Sequence, residues 1–272
     1  EPNAKLFIYM GGKDALVNPA IRATKGVEVY EGSDDEFVEH TGIMRNQSVM
    51  DKVLELLREE DTAPKGVWRL AGQSHHSVLV EFVDHLTLIE APQHDTRTLA
   101  VIAKARELRP NKPLTHVVNT HHHFDHSGGV RAAVSEGLTV ITHKGNGAFF
   151  RDIAGRAHTL VPDALARNPK PITIETVDDE LVLKDAAMTV ALYPIAGNPH
   201  SDTMLMAYFP RERLLVQVDT FAPGGAAAPY AANLLDNVVK RKLRVNRIVS
   251  LHGEIAPFAE LQKTVAMVGA TR

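Results

Sequence analysis

One stretch, Thr120-His121-His122-His123-Phe124-Asp125-His126-Ser127-Gly128-Gly129, constrains this chain more than any other. Before it, Leu114 to Asn119 reads as a buried strand. After it, the Ser-Gly-Gly step opens an amphipathic helix with Val130, Ala133 and Val134 at core spacing. The stretch therefore sits on a strand-to-helix loop, where a rigid scaffold aims several side chains at one point. Its pattern is H-x-H-x-D-H. In extended backbone alternate residues face the same way, so His121 and His123 project together while His122 points elsewhere. As the chain turns into the helix, Asp125 and His126 swing back toward the same cavity. Imidazoles and a carboxylate suit zinc and other first-row metals. Four candidate ligands in six residues fit either one closed structural site or two adjacent open ones.

From Gly66 onward the chain alternates strands and helices, which argues for an α/β fold. Val67–Leu70, Ser77–Val83 and Leu86–Glu90 read as consecutive strands, and Asp95–Leu108 as a helix stopped by Pro110. A strand at Leu138–Thr142 and a short helix at His143–Arg151 follow the motif. Further strands are expected at Ile172–Thr176, Glu180–Leu183, Met188–Tyr193, Thr203–Phe209, Arg213–Val218 and Arg247–Leu251. Helices are expected at Ala231–Leu243 and at the C-terminus. Residues 1–65 read as an N-terminal extension that packs or makes an oligomer contact, and residues 66–272 as the main domain. Within the extension, Lys5–Met10 reads as a strand, Ser48–Glu60 as a helix, and Glu31–Glu39 as an exposed acidic segment.

The motif, with its preceding Thr and following Ser-Gly-Gly, resembles that of the metallo-β-lactamase-fold hydrolase superfamily. The resemblance implies a four-layer αββα sandwich with a metal cleft at one edge. It also implies that His121 and His123 serve one metal and Asp125 and His126 a second, and that three further ligands follow in order. This chain supplies them as His200, Asp219 and His252, each at a strand end. His200 then joins the first metal and His252 the second, with Asp219 bridging. The implied cofactors are two divalent ions, zinc first, with manganese or iron as alternatives. Two ions sharing a water bring its pKa toward neutrality, so hydroxide can attack an ester, lactone, thioester or amide carbonyl. Asp125 is the candidate catalytic side chain, accepting a hydrogen bond from the nucleophile.

The same resemblance discriminates among subgroups. An Asp at position 219 argues against a dedicated β-lactamase, since those carry Cys or Ser there, and leaves weak promiscuous lactamase activity open. Only 20 residues follow His252, which disfavours the glyoxalase II branch. The 33-residue step from Asp219 to His252 leaves no room for the extra domain of the family's nucleases. A lactonase, an esterase or another small-molecule hydrolase remains. The alternative is a persulfide dioxygenase-like oxidoreductase with one iron held by two His and one Asp.

A net charge of −3 gives no electrostatic footprint for nucleic acid. No run reaches the roughly 18 apolar residues a membrane-spanning helix needs. The expected partner is a small-molecule substrate, with a homo-oligomer as a further expectation. A soluble protein is expected, in the cytoplasm or, after removal of a leader, in the periplasm or outside the cell. There is no cysteine, so thiolate chemistry is excluded. Among the remaining candidates, His75 and His76 read as a plain exposed turn, with substrate contact as the alternative. His122 reads as packing, Asp202 as a residue orienting His200, and Tyr193 and Tyr230 as phenol donors to substrate.

Overall fold

A computed structural model describes residues 6–10, 27–31, 58–61, 65–72, 74–224 and 230–270. The chain divides into two compact units, residues 1–56 and 57–272. In the first, β1 (Leu6–Met10) and β2 (Val27–Glu31) pair in parallel, Leu6 opposite Val27. The sequence reading had the first of these strands. The second carries a period-two signal in Val27-Glu28-Val29.

The second unit begins with β3 (Arg58–Asp61), β4 (Val67–Ala71), β5 (Ser77–Glu81) and β6 (Leu86–Ile89), an antiparallel run. Then come α1 (Asp95–Leu108), β7 (Leu114–Val118), α2 (Phe124–Ser127), α3 (Val130–Ser135) and β8 (Thr139–His143). A 3-10 turn leads into α4 (Gly147–Gly155), followed by α5 (Ala164–Arg167) and β9 (Ile174–Val177). These strands form one seven-stranded sheet in chain order, β6 to β9 parallel. The second sheet runs β10 (Leu181–Lys184), β11 (Thr189–Pro194), β12 (Leu205–Phe209), β13 (Leu214–Gln217), β14 (Arg247–Ser250) and β15 (Ile255–Pro257). Its helices are α6 (Ala231–Lys240) and α7 (Phe258–Ala270).

The two sheets share one core. Val78, Val80, Ile89, Val118 and Ile141 of the first meet Val190, Leu192, Leu205, Ala207 and Leu215 of the second, all buried. Near-continuous apolar runs such as Val67–Ala71 and Leu205–Phe209 are what strands covered on both faces require. With α1 and α3 packed on one sheet and α6 and α7 on the other, the architecture is the expected four-layer α/β sandwich.

The helix read over Ser48–Glu60 is corrected at its end. Residues 58–60 lie in β3, with Arg58 opposite Ala71 and Asp61 opposite Trp68; residues 48–57 fall outside the described set. Arg and Glu are good helix formers, but propensity is a small energy per residue and pairing with a sheet edge overrides it.

Outside the cleft, Arg131 on α3 is a heavily bonded buried charge. It forks onto Asp163 and also donates to the Ile153 and Ala154 carbonyls, fixing the path from α4 to α5. Asp163→Ala leaves this cation buried without its counter-charge and is expected to cost about 3 kcal/mol, read as a fall in Tm. Burial pushes the Asp163 carboxyl up, but Arg131 and the Ala166 N–H outweigh it and hold it below its ordinary value. Its stabilisation is therefore present above the unfolded value near 4 and is lost as pH falls through the lower folded one. Acid unfolding should accordingly begin at higher pH in the variant.

Candidate metal centre

The loops after β7, β11, β13 and β14 converge on one edge of the sandwich. The first follows β7. Asn119 donates its backbone N–H to Ile141 and its side-chain amide to the His126 carbonyl (2.9 and 3.0 Å). Ser127 Oγ–H donates to the His122 carbonyl (2.9 Å) and Gln93 N–H to the Asp125 carbonyl (2.9 Å). Gly128 passes so close to Gln93 that a Cβ there would lie 1.9 Å from its carbonyl oxygen. Gly128→Ala must push that backbone away. It is expected to destabilise the protein by about 3 kcal/mol and to weaken metal uptake, checked by Tm and metal content.

Within this frame His121, His123 and His200 form one cluster and His126, His252 and Asp125 a second. His123 Nδ1 faces His200 Nε2 at 3.0 Å, and His126 Nε2 faces His252 Nε2 at 3.0 Å. Asp219 lies between the clusters. Its Oδ2 is 3.3, 3.2 and 3.1 Å from the Nε2 atoms of His121, His126 and His200, and its Oδ1 is 3.1 Å from His252 Nε2. Asp125 Oδ2 is 3.2 Å from His126 Nε2. All seven residues anticipated from the sequence thus meet in one place.

Backbone conformation helps to put them there. Asp219 lies two residues beyond β13 at φ 58°, a left-handed conformation that Asp tolerates better than most residues. The buried carboxamide of Gln217 closes the turn, accepting from Thr220 and Phe221 N–H and donating to the Phe221 carbonyl. His200 is fixed through its backbone N–H by Asn198 Oδ1 at 2.9 Å, the role expected of Asp202. Asp202 itself is exposed. Tyr193 is committed to Glu180 (2.7 Å), with Arg241 stacked over its ring, and is no substrate donor. Tyr230 does approach, its ring 5.3 Å from that of His200. His122 packs against Phe149, as its packing role required.

Electrostatics set these groups apart from ordinary histidines. Burial drives His121 down to about 2, which leaves it neutral. Burial also opposes charge on His126, but Glu90 and Asp219 outweigh it and raise it to about 10. The His126 and His252 hydrogen bonds hold Asp219 well below the carboxylate range against its own burial.

The donors fit a divalent metal. His121 Nε2 is fully buried and has no hydrogen-bond partner, a state that costs about 1–3 kcal/mol unless a cation uses the lone pair. Facing imidazole nitrogens at 3.0 Å repel unless a proton or cation lies between them. Nitrogen and carboxylate oxygen are the donors that zinc, manganese and iron accept.

A family model described as the metallo-beta-lactamase superfamily matches residues 70–244, well over half of the chain. The chain belongs to the metallo-beta-lactamase superfamily. Solved members share its fold. The DIM-1 metallo-beta-lactamase is 15% identical, covering 79% of this chain and 98% of its own, with a TM-score of 0.57. The enzyme from Pontibacter korlensis is 17% identical over 78% and 99%, with a TM-score of 0.56. FIM-1 from Pseudomonas aeruginosa, in its mono-zinc form, is 16% identical over 79% and 96%, with a TM-score of 0.58. Among curated protein sequences there is no match.

Two residues of this metallo-beta-lactamase superfamily site lie outside the seven. Glu90, at φ 80° and fully buried, accepts from His126 Nδ1 (2.6 Å), Thr120 N (2.9 Å) and Thr120 Oγ1 (3.1 Å). Thr120 Oγ1 in turn accepts from His121 Nδ1 at 3.2 Å. One buried carboxylate therefore orients an imidazole in each cluster, turning both Nε2 atoms inward. A charged residue ending the apolar strand Leu86-Thr87-Leu88-Ile89 was its only signal in the sequence. The second is His75. The exposed turn expected there is instead packed: His76 is buried, and His75 Nε2 lies 3.2 Å from Asp125 Oδ2.

Proposed function

We propose that this superfamily member is a metal-dependent hydrolase acting on an ester, lactone, thioester or amide of a small molecule. In this reading His121, His123 and His200 hold one divalent ion and Asp125, His126 and His252 a second, with Asp219 shared; zinc is the first candidate and manganese or iron the alternatives. The observation that carries it is the buried His121 Nε2, which makes no hydrogen bond and has only Asp219 Oδ2 at 3.3 Å, set among paired imidazoles that face one another across Asp219. Divalent ions bound there would supply Lewis acidity to a carbonyl oxygen and bring a water's pKa toward neutrality.

The chain's own groups do the rest. Asp125 is the most open of the carboxylates, its side chain 48% exposed against 14% for Asp219, so it can reach a water in the cleft and accept its proton. Asp219, deeper and fixed by its turn, keeps its charge and holds both clusters in register. Glu90 keeps the His126 and His121 Nε2 atoms free to bind. The rim supports an uncharged substrate. Phe124, between His123 and Asp125, is 73% exposed, and Phe149 stands against His122. These rings offer apolar surface beside the polar cleft, as ligand sites commonly do.

The test is chelator-stripped protein refilled with zinc or manganese and assayed against esters, lactones, thioesters, amides and a β-lactam. Hydrolysis of a carbonyl substrate that disappears with stripping and returns with metal is the expected result, with the β-lactam poorer than the best ester or lactone. Metal-filled protein that hydrolyses none of them would overturn the reading.

A further inference from the structure

His75 belongs to none of the seven positions, yet it completes a fourfold donor set. Its Nε2, with Asp125, His126 and His252, lies in a group whose donor atoms all fall within 4.8 Å of one another. The ring stands edge-on to His252, centroids 4.2 Å apart. From the geometry of this loop we infer that His75 is a further ligand of the second metal position, an assignment that rests on the dinuclear reading above.

The loop between β4 and β5 is built to hold that nitrogen in place. His252 Nδ1–H donates to the Ser74 carbonyl at 2.7 Å, so a ligand of the second cluster is itself the anchor of the residue before His75. The His76 N–H donates to the Leu251 carbonyl (3.0 Å), tying the loop to the end of β14. On the other side the buried Arg97 guanidinium donates to the His75 carbonyl (2.7 Å) and reaches that of Gly72. Gly72 has no side chain because Arg97 fills the space; a Cβ there would lie 2.3 Å from its Nη2. A histidine meant only to sit in a turn needs none of this.

A metal-binding tautomer is open to the ring. His75 Nδ1 lies 2.8 Å from Ser74 Oγ. With Nδ1–H given to that oxygen, the Nε2 lone pair faces the cluster, the arrangement metal-bound histidines adopt. The Gln93 Nε2 lies 3.3 Å from the same nitrogen, and turning that amide over places an oxygen there as a second acceptor for the one proton. Asp125, His126, His252, Asp219 and His75 then give the second position one donor more than tetrahedral zinc uses. Such a set suits a five- or six-coordinate ion, which manganese, iron and an expanded zinc sphere all provide.

The experiment is a crystal structure of the full chain refilled with manganese, with anomalous scattering to locate the ions, alongside metal titrations of the native protein and His75→Ala. Expected is an ion within about 2.3 Å of His75 Nε2 and of His126 and His252. The variant should lose at least about tenfold in affinity at the second position, with its Tm in the stripped state close to native. An ion held by His126 and His252 with His75 Nε2 beyond about 3 Å, still bonded to Asp125, overturns the assignment and leaves the dinuclear reading standing. No ion at either cluster removes both.

Discussion

Asp219→Asn is expected to lower turnover by about three orders of magnitude, because it removes the one charge shared by both clusters. The substitution is chosen for its geometry. Position 219 sits at φ 58°, where Asn is tolerated about as well as Asp and Ala is strained. The side chain keeps its shape, the turn held by Gln217 stays closed, and the loss is electrostatic. Asp219 is set among four imidazole nitrogens at 3.1–3.3 Å with its side chain 14% exposed, so water screens its charge only in part. Metal content should fall along with turnover, most at the second position. Full activity with both metals retained would remove Asp219 from the centre of the mechanism.

Glu90→Gln should be the next most damaging change, although Glu90 touches no substrate. Gln retains an oxygen for the Thr120 N–H but places an amide N–H2 where His126 Nδ1 now donates. Two donors cannot share that contact. The His126 proton must move to Nε2, the nitrogen that faces the cluster, and the ring ceases to be a ligand until it is lost. Metal affinity is expected to fall about 10- to 100-fold, with a lower Tm. Both follow from a metal titration and a melting curve. An affinity within twofold of native would show that Thr120 and Asn119 position the loop without it.

These two residues also mark the limit of what the sequence discloses. The strands flanking the cleft and the helix Asp95–Leu108 were readable because their apolar spacing reports burial directly. The seven cluster residues were readable because imidazole and carboxylate side chains at strand ends carry the superfamily's spacing. Glu90 was not, because its meaning lies in partners 30 and 36 residues away, which no local pattern encodes. His75 was misread for a similar reason. A His-His pair in a turn looks solvated, and only the bonds from Arg97, Leu251 and His252 bury it. The polar strand Arg58–Asp61 shows the same gap at the level of the fold, being made by its neighbour Val67–Ala71 and by nothing in its own composition.

The decisive measurement is metal identity and number per chain, by elemental mass spectrometry on protein purified without an added His tag. Two divalent ions per chain are expected, zinc or manganese, released together by chelator along with hydrolytic activity. A single iron per chain, with oxygen consumed on a persulfide, would contradict the dinuclear hydrolase and move the chemistry to oxidation.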